Sequence, residues 1–164
     1  MSRETGADQR LIGVSMAVAA ALLAVVTLAG HRLHTEEVVL QTKAADQWAY
    51  YQAKSNRSHM YANDAALAEF TGAAAASKTA ADWRRKGDEE RQQADEVQRE
   101  AQGLDAETEA AARKATFFDI GEICLEIGIV LSSIALLTRS ALYWRLSFLP
   151  TLVGVVVAAY GLFR

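Results

Sequence analysis

LIGVSMAVAAALLAVVTLAG, residues 11–30, carries no charged side chain and no proline. Wound as a helix, a run of about 20 apolar residues is long enough to cross the hydrocarbon core of a bilayer. Two further apolar runs, residues 117–137 and 141–163, lie close together near the end of the chain. The stretch between the first and second runs, residues 31–116, is polar and contains no such segment. The pattern predicts an all-α membrane protein with three transmembrane helices. A tail over 1–10 precedes the first span, and a large extramembrane insert follows it.

The insert concentrates the charge, with 12 of the 17 Lys and Arg and 15 of the 20 Asp and Glu. Its balance is mixed and mildly acidic, which gives no electrostatic reason to expect nucleic acid as a partner. The only cysteine, Cys124, lies inside the second run and excludes an intrachain disulfide. No phosphate loop, dinucleotide fingerprint or nucleophile motif is present, so neither an enzymatic activity nor a cofactor is expected. The first run exceeds the about 7–15 residues of a signal-peptide core and is read as a retained anchor.

Proline is absent from the insert, which is rich in Ala, Glu, Gln, Lys and Arg; such composition reads as helix. Its best break is Thr71-Gly72, near the middle. The insert is therefore expected as a long antiparallel helical hairpin, a coiled-coil-like stalk with its tip near 71–77. Arms of roughly 40 residues at about 1.5 Å each would make a stalk about 60 Å tall. Three-four spacing marks an expected seam on each arm. On the ascending arm it comprises Ala49, Ala53, Asn56, Met60, Asn63, Leu67 and Phe70; on the descending arm, Ala94, Val97, Ala101, Leu104, Thr108, Ala111, Ala115 and Phe118. The seams are alanine-rich, so neighbouring copies or another subunit are expected to add stability. Arg84, Arg85 and Lys86 each precede an acid by four residues, Asp88, Glu89 and Glu90, which predicts a self-paired helix face rather than a recognition patch.

Asp119, Glu122 and Glu126 stand at i, i+3 and i+7 in the second run, along one helix face. Carboxyls within a span are costly and face a bundle interior, a wet cavity or a cation. Arg32 and Arg164 are the possible cationic partners, since three spans bring both to the same side. Two readings of the stripe stay open: a structural set of paired or hydrogen-bonded carboxyls, or a path for protons or cations. His31 and His34, one turn apart, lack a third ligand, so no metal site is expected.

Small-residue faces that let membrane helices approach closely comprise Gly13, Ala17, Ala20 and Ala24 in the first run, Gly121, Gly128 and Ser132 in the second, and Gly154, Ala158 and Gly161 in the third. Tyr143 and Trp144 suit an interfacial belt. Arg3, Arg10, Arg139 and Arg145 favour a cytoplasmic N-terminus and an outward, periplasmic stalk.

The segment Asp46-Gln47-Trp48-Ala49-Tyr50-Tyr51-Gln52-Ala53-Lys54 resembles a signature of the bacterial membrane family catalogued as domain of unknown function 4337. The stretches Phe118-Asp119-Ile120-Gly121-Glu122 and Ser132-Ser133-Ile134-Ala135-Leu136-Leu137-Thr138 resemble its other signature. The resemblance implies a bacterial inner-membrane location and brings no activity with it. It draws attention to Trp48, Tyr51, Gln52 and Lys54 at the base of the stalk, where packing or docking is expected.

The function read from the sequence is a non-enzymatic membrane structural or accessory subunit in the lipid bilayer. It would act as a homo-oligomer or as part of a larger membrane complex. The alternative is an oligomeric proton or cation conductor using the acidic stripe, a layout similar to the three-span subunits of proton-driven motors.

Overall fold

A computed structural model describes residues 2–70 and 74–163, with side chains over 9–70 and 76–163. Every described element is helical: α1 (Ser2–Phe70), α2 (Ala74–Thr138) and α3 (Ala141–Phe163). Each contains a window long and apolar enough to cross a membrane. The expected tip at 71–77 falls partly on residues 71–73, outside the described ones, while residues 74–77 belong to α2. Arg139 closes α2 with a left-handed backbone, φ 52°, and so ends the helix as a C-terminal cap does. The chain divides into two compact units, one joining Met1–Glu37 with Glu109–Arg164 and the other Val38–Thr108.

In the first unit Val26, Phe118, Leu125 and Ala158 form the buried core, with Leu23, Ala29, Leu33 and Val155 packed on it. Glycines decide how close α2 and α3 come. A Cβ built on Gly154 would lie 2.7 Å from the Gly121 carbonyl oxygen and 3.0 Å from Leu125 Cγ. One on Gly128 would overlap Thr151 Oγ1, and one on Gly161 would sit 2.8 Å from Phe117 Cβ. The small faces of the second and third runs are thus spent on each other. That of the first run is not: Ala17, Ala20 and Ala24 are exposed, and a Cβ on Gly13 would touch nothing within 4 Å. Instead α1 buries a different line, Ile12, Ala19, Val26 and Gly30, and a Cβ on Gly30 would lie 3.5 Å from Phe118 Cβ. Trp144 Nε1 donates to Ser15 Oγ at 3.1 Å, pinning the start of α3 to α1.

In the second unit the α2 seam follows the expected residues: Ala94 and Ala101 are buried, and Val97, Leu104 and Thr108 are half-buried. It extends back through Gly87 and Ala80. Ala111, Ala115 and Phe118, in the other unit, are buried as well. The α1 seam differs from expectation. Ala49, Ala53, Asn56, Met60, Asn63, Leu67 and Phe70 are all exposed. Ala44, Trp48, Tyr51, Lys54, Ser58, Tyr61, Ala65 and Ala68 face the partner helix instead, buried or half-buried. The reason is chemical: α2 offers acids and amides as well as alanines, so polar and aromatic groups on α1 find partners there that methyl groups would not. The contacts run in opposite chain directions, from Trp48 with Asp105, through Ser58 with the Gly87 carbonyl, to Glu69 with Arg84.

The glycine contact makes a prediction. Gly154→Ala forces backbone apart and should destabilise the folded protein by about 1–3 kcal/mol, the usual range for overpacking. Gly13→Ala should be neutral or mildly stabilising, because its Cβ meets open space. Thermal unfolding of both variants in the same detergent, followed by circular dichroism, checks the contrast.

Candidate functional site

The three carboxyls of α2 do not share one environment. Asp119 Oδ1 lies 3.1 Å from His34 Nε2, and His34 Nδ1 lies 3.3 Å from Glu37 Oε2. Glu122 Oε1 accepts a hydrogen bond of 2.8 Å from Thr27 Oγ1. Glu126 is exposed and forms no hydrogen bond or ion pair among the described residues. It stands between the exposed side chains of Ile123, Ile127 and Val130. α1 thus takes up two members of the stripe and leaves Glu126 on the outer surface of its unit.

The cation beside Asp119 is His34, not Arg32. Arg32 is exposed and forms no ion pair among the described residues, and Arg164 lies outside them. The sequence offers His34 as an interfacial residue beside His31, with no metal site expected, and does not mark it as the partner of Asp119. Its distance from α2 in sequence hid the pairing, although its helical spacing from Thr27, two turns back, was legible. Both ring nitrogens of His34 face carboxylates, and only the doubly protonated imidazolium can donate to both. Hydrogen bonding to Asp119 raises its pKa above 6.5; burial opposes the rise, and the hydrogen bond with Glu37 adds to it.

A second polar cluster lies within Val38–Thr108. Lys54 is buried, with Nζ donating to Gln93 Oε1 and lying 3.1 Å from Glu90 Oε2. That contact is an ion pair without hydrogen-bond alignment, since Glu90 Oε2 is buried and accepts no hydrogen bond. Arg57 reaches the other Glu90 oxygen at 3.6 Å, and the Lys54 ammonium stands 5.5 Å from the Tyr50 ring centre. Trp48 packs edge-on against Tyr51, with ring centres 5.6 Å apart, and its Nε1 donates to Asp105 Oδ2 at 2.9 Å. Of the four residues expected at this base, Trp48 and Lys54 bond to α2, Tyr51 is half-buried against Trp48, and Gln52 is exposed. Of the three expected self-pairs in the basic run, Arg85 with Glu89 forms at 2.8 Å. Arg84 turns to Glu69 and Glu90 to Lys54, because the neighbouring helix presents closer partners.

An open groove of about 540 Å³ beside Gly87 is lined by Arg84 and Arg91, offset by Asp88 and Asp95, with Ser55, Ser58 and His59. Its charges are balanced.

These features define an all-helical protein whose three helices are long and apolar enough to cross a membrane, with polar clusters fastening α1 to α2. The chain matches the model of the domain of unknown function family DUF4337 over residues 8–164 and belongs to that family. No curated protein and no solved structure matches it.

Two predictions follow from the clusters. The folded pKa of His34 is raised, so its ion pairs contribute stability fully below pH 6.5 and lose it as pH rises through the raised value. The difference in melting temperature between the wild type and His34→Gln should therefore be largest near pH 5.5 and shrink by pH 8.5. Lys54→Ala removes the closer of the two cations beside Glu90, leaving Arg57 at 3.6 Å, and should cost about 1–3 kcal/mol. Lys54→Met with Glu90→Leu should recover most of that loss in the same melting assay.

Proposed function

We propose that this chain is a non-enzymatic subunit of a bacterial inner membrane. α1, α2 and α3 each cross the bilayer, and residues 31–116 form an antiparallel helical hairpin outside it. The subunit self-associates or joins a larger membrane complex through its spans and this stalk. The observation that carries the reading is Glu126. A carboxyl among exposed Ile123, Ile127 and Val130, in the apolar stretch of α2, costs about 3 kcal/mol when it faces lipid. Coverage by another polypeptide removes that cost, so the outer surface of the spans is a contact surface. The cross-chain pairing of Trp48, Lys54, Ser58 and Glu69 supports the hairpin. Arg10, Arg139 and Arg145 support a cytoplasmic N-terminus and a periplasmic stalk.

Proton or cation conduction draws less support, because Asp119 is held by His34 and Glu122 by Thr27. The test is the native mass of the complex extracted from membranes in mild detergent. The expected value is a multiple of the 17.8 kDa chain, or a stoichiometric complex with other subunits. Glu126→Leu should lower the assembled fraction several-fold while Ile120→Leu leaves it intact. A monomeric mass overturns the proposal. A proton flux in proteoliposomes that Glu126→Gln abolishes would replace it with conduction.

A further inference from the structure

The α1 helix of the Val38–Thr108 unit has two faces with three-four spacing, and only one of them is used. The other holds Ala49, Ala53, Asn56, Met60, Asn63, Leu67 and Phe70, exposed along its whole length, with Met60 at 62%, Leu67 at 66% and Phe70 at 91%. None of these seven residues is charged. The outward positions of α2 in the same unit are different in kind: Asp82, Arg85, Glu89, Glu96 and Arg99 are exposed there. A helix face that meets only water carries charges, as that of α2 does. The uncharged face also keeps a 3.5-residue period rather than the 3.6 of a straight helix, and such a period holds a line only against a supercoiling partner.

We infer that this face is a seam for a second copy of the chain, which packs α1 against α1 in parallel. The inference rests on the self-association proposed above and names the surface. Three considerations select a second copy. An uncharged face offers a charged partner no complement but meets its own duplicate without repulsion. Copies that share one bilayer and one orientation leave it on the same side after residue 30, so their α1 helices run in the same direction. Parallel pairing in register then sets Asn56 against Asn56 and Asn63 against Asn63. A side-chain amide both donates and accepts, so it can bond its own duplicate. An asparagine within an apolar seam fixes register and strand number. Flanking layers of Ala53, Met60, Leu67 and Phe70 bury the apolar surface. Separately, the exposed Ala17, Ala20 and Ala24 of the other unit give α1 a small-residue face that suits close approach within the bilayer.

The test uses single cysteines in a Cys124→Ala background, oxidised in native membranes. Asn56→Cys, Met60→Cys, Asn63→Cys and Leu67→Cys probe the seam, Asp64→Cys lies out of phase, and Arg85→Cys and Arg99→Cys report on α2. Circular dichroism confirms that each variant folds. The expected result is a disulfide-linked dimer at least tenfold more abundant at the four seam positions than at the other three. An even yield across all seven, or a maximum on α2, overturns the inference. If the native mass is still a multiple of the chain, self-association stands and uses another surface. A monomeric native mass overturns both.

Discussion

The near contact of Gly121 with Gly154 orders the rest of the first unit. With no Cβ on either residue, α3 settles against α2 backbone to backbone, and Leu125 and Ala158 close over the contact. That choice commits one side of α2 to α3. α1 is left with the sides that carry Phe118, Asp119 and Glu122, which explains why its own contribution is Val26, Thr27, Gly30 and His34. Glu126 stays outside because the two flanking helices are already placed. One steric allowance on two helices thus separates three carboxyls that the chain spaces along one face.

The second unit is held together differently. Its most deeply buried α2 positions are Ala80, Gly87, Ala94 and Ala101, which bury little apolar area, at about 25 cal/mol for each Å². Specific polar pairs supply what the alanines do not: Lys54 with Glu90 and Gln93, Trp48 with Asp105, and Ser58 with the Gly87 carbonyl. Separating the partners of a buried pair leaves a charge uncompensated, so such pairs penalise any other alignment. Along the α2 line of Ala80, Gly87, Ala94 and Ala101, one small residue every seventh position marks no single register. Trp48 finds Asp105 at one height, and Lys54 finds Glu90 and Gln93 together at another.

The number, length and type of the helices were legible in the chain, because apolar runs and proline-free charged stretches report directly on the helical state. The α2 seam was legible for the same reason: its small residues stand apart from charged neighbours. The α1 seam was not. Residues 44–70 carry two stripes of similar period, and apolarity singles out Met60, Leu67 and Phe70 over Tyr51, Lys54 and Ser58. Only the composition of the opposite helix, with Glu90, Gln93 and Asp105 at matching heights, decides between them. The partner of Asp119 was obscured in a similar way, since formal charge favoured Arg32 over a histidine that becomes cationic through the contact itself.

The three-four rhythm of α2 from Ala80 onward also governs how such a chain can change its length. Adding one residue to either arm turns everything beyond it by about 100° about the helix axis and carries Gly87 or Ala94 out of the interface. Adding seven to both arms restores every facing pair. Length in this region is therefore quantised, and homologous chains that differ there should do so in matched steps of whole heptads, while the turn between α2 and α3 is free of that constraint.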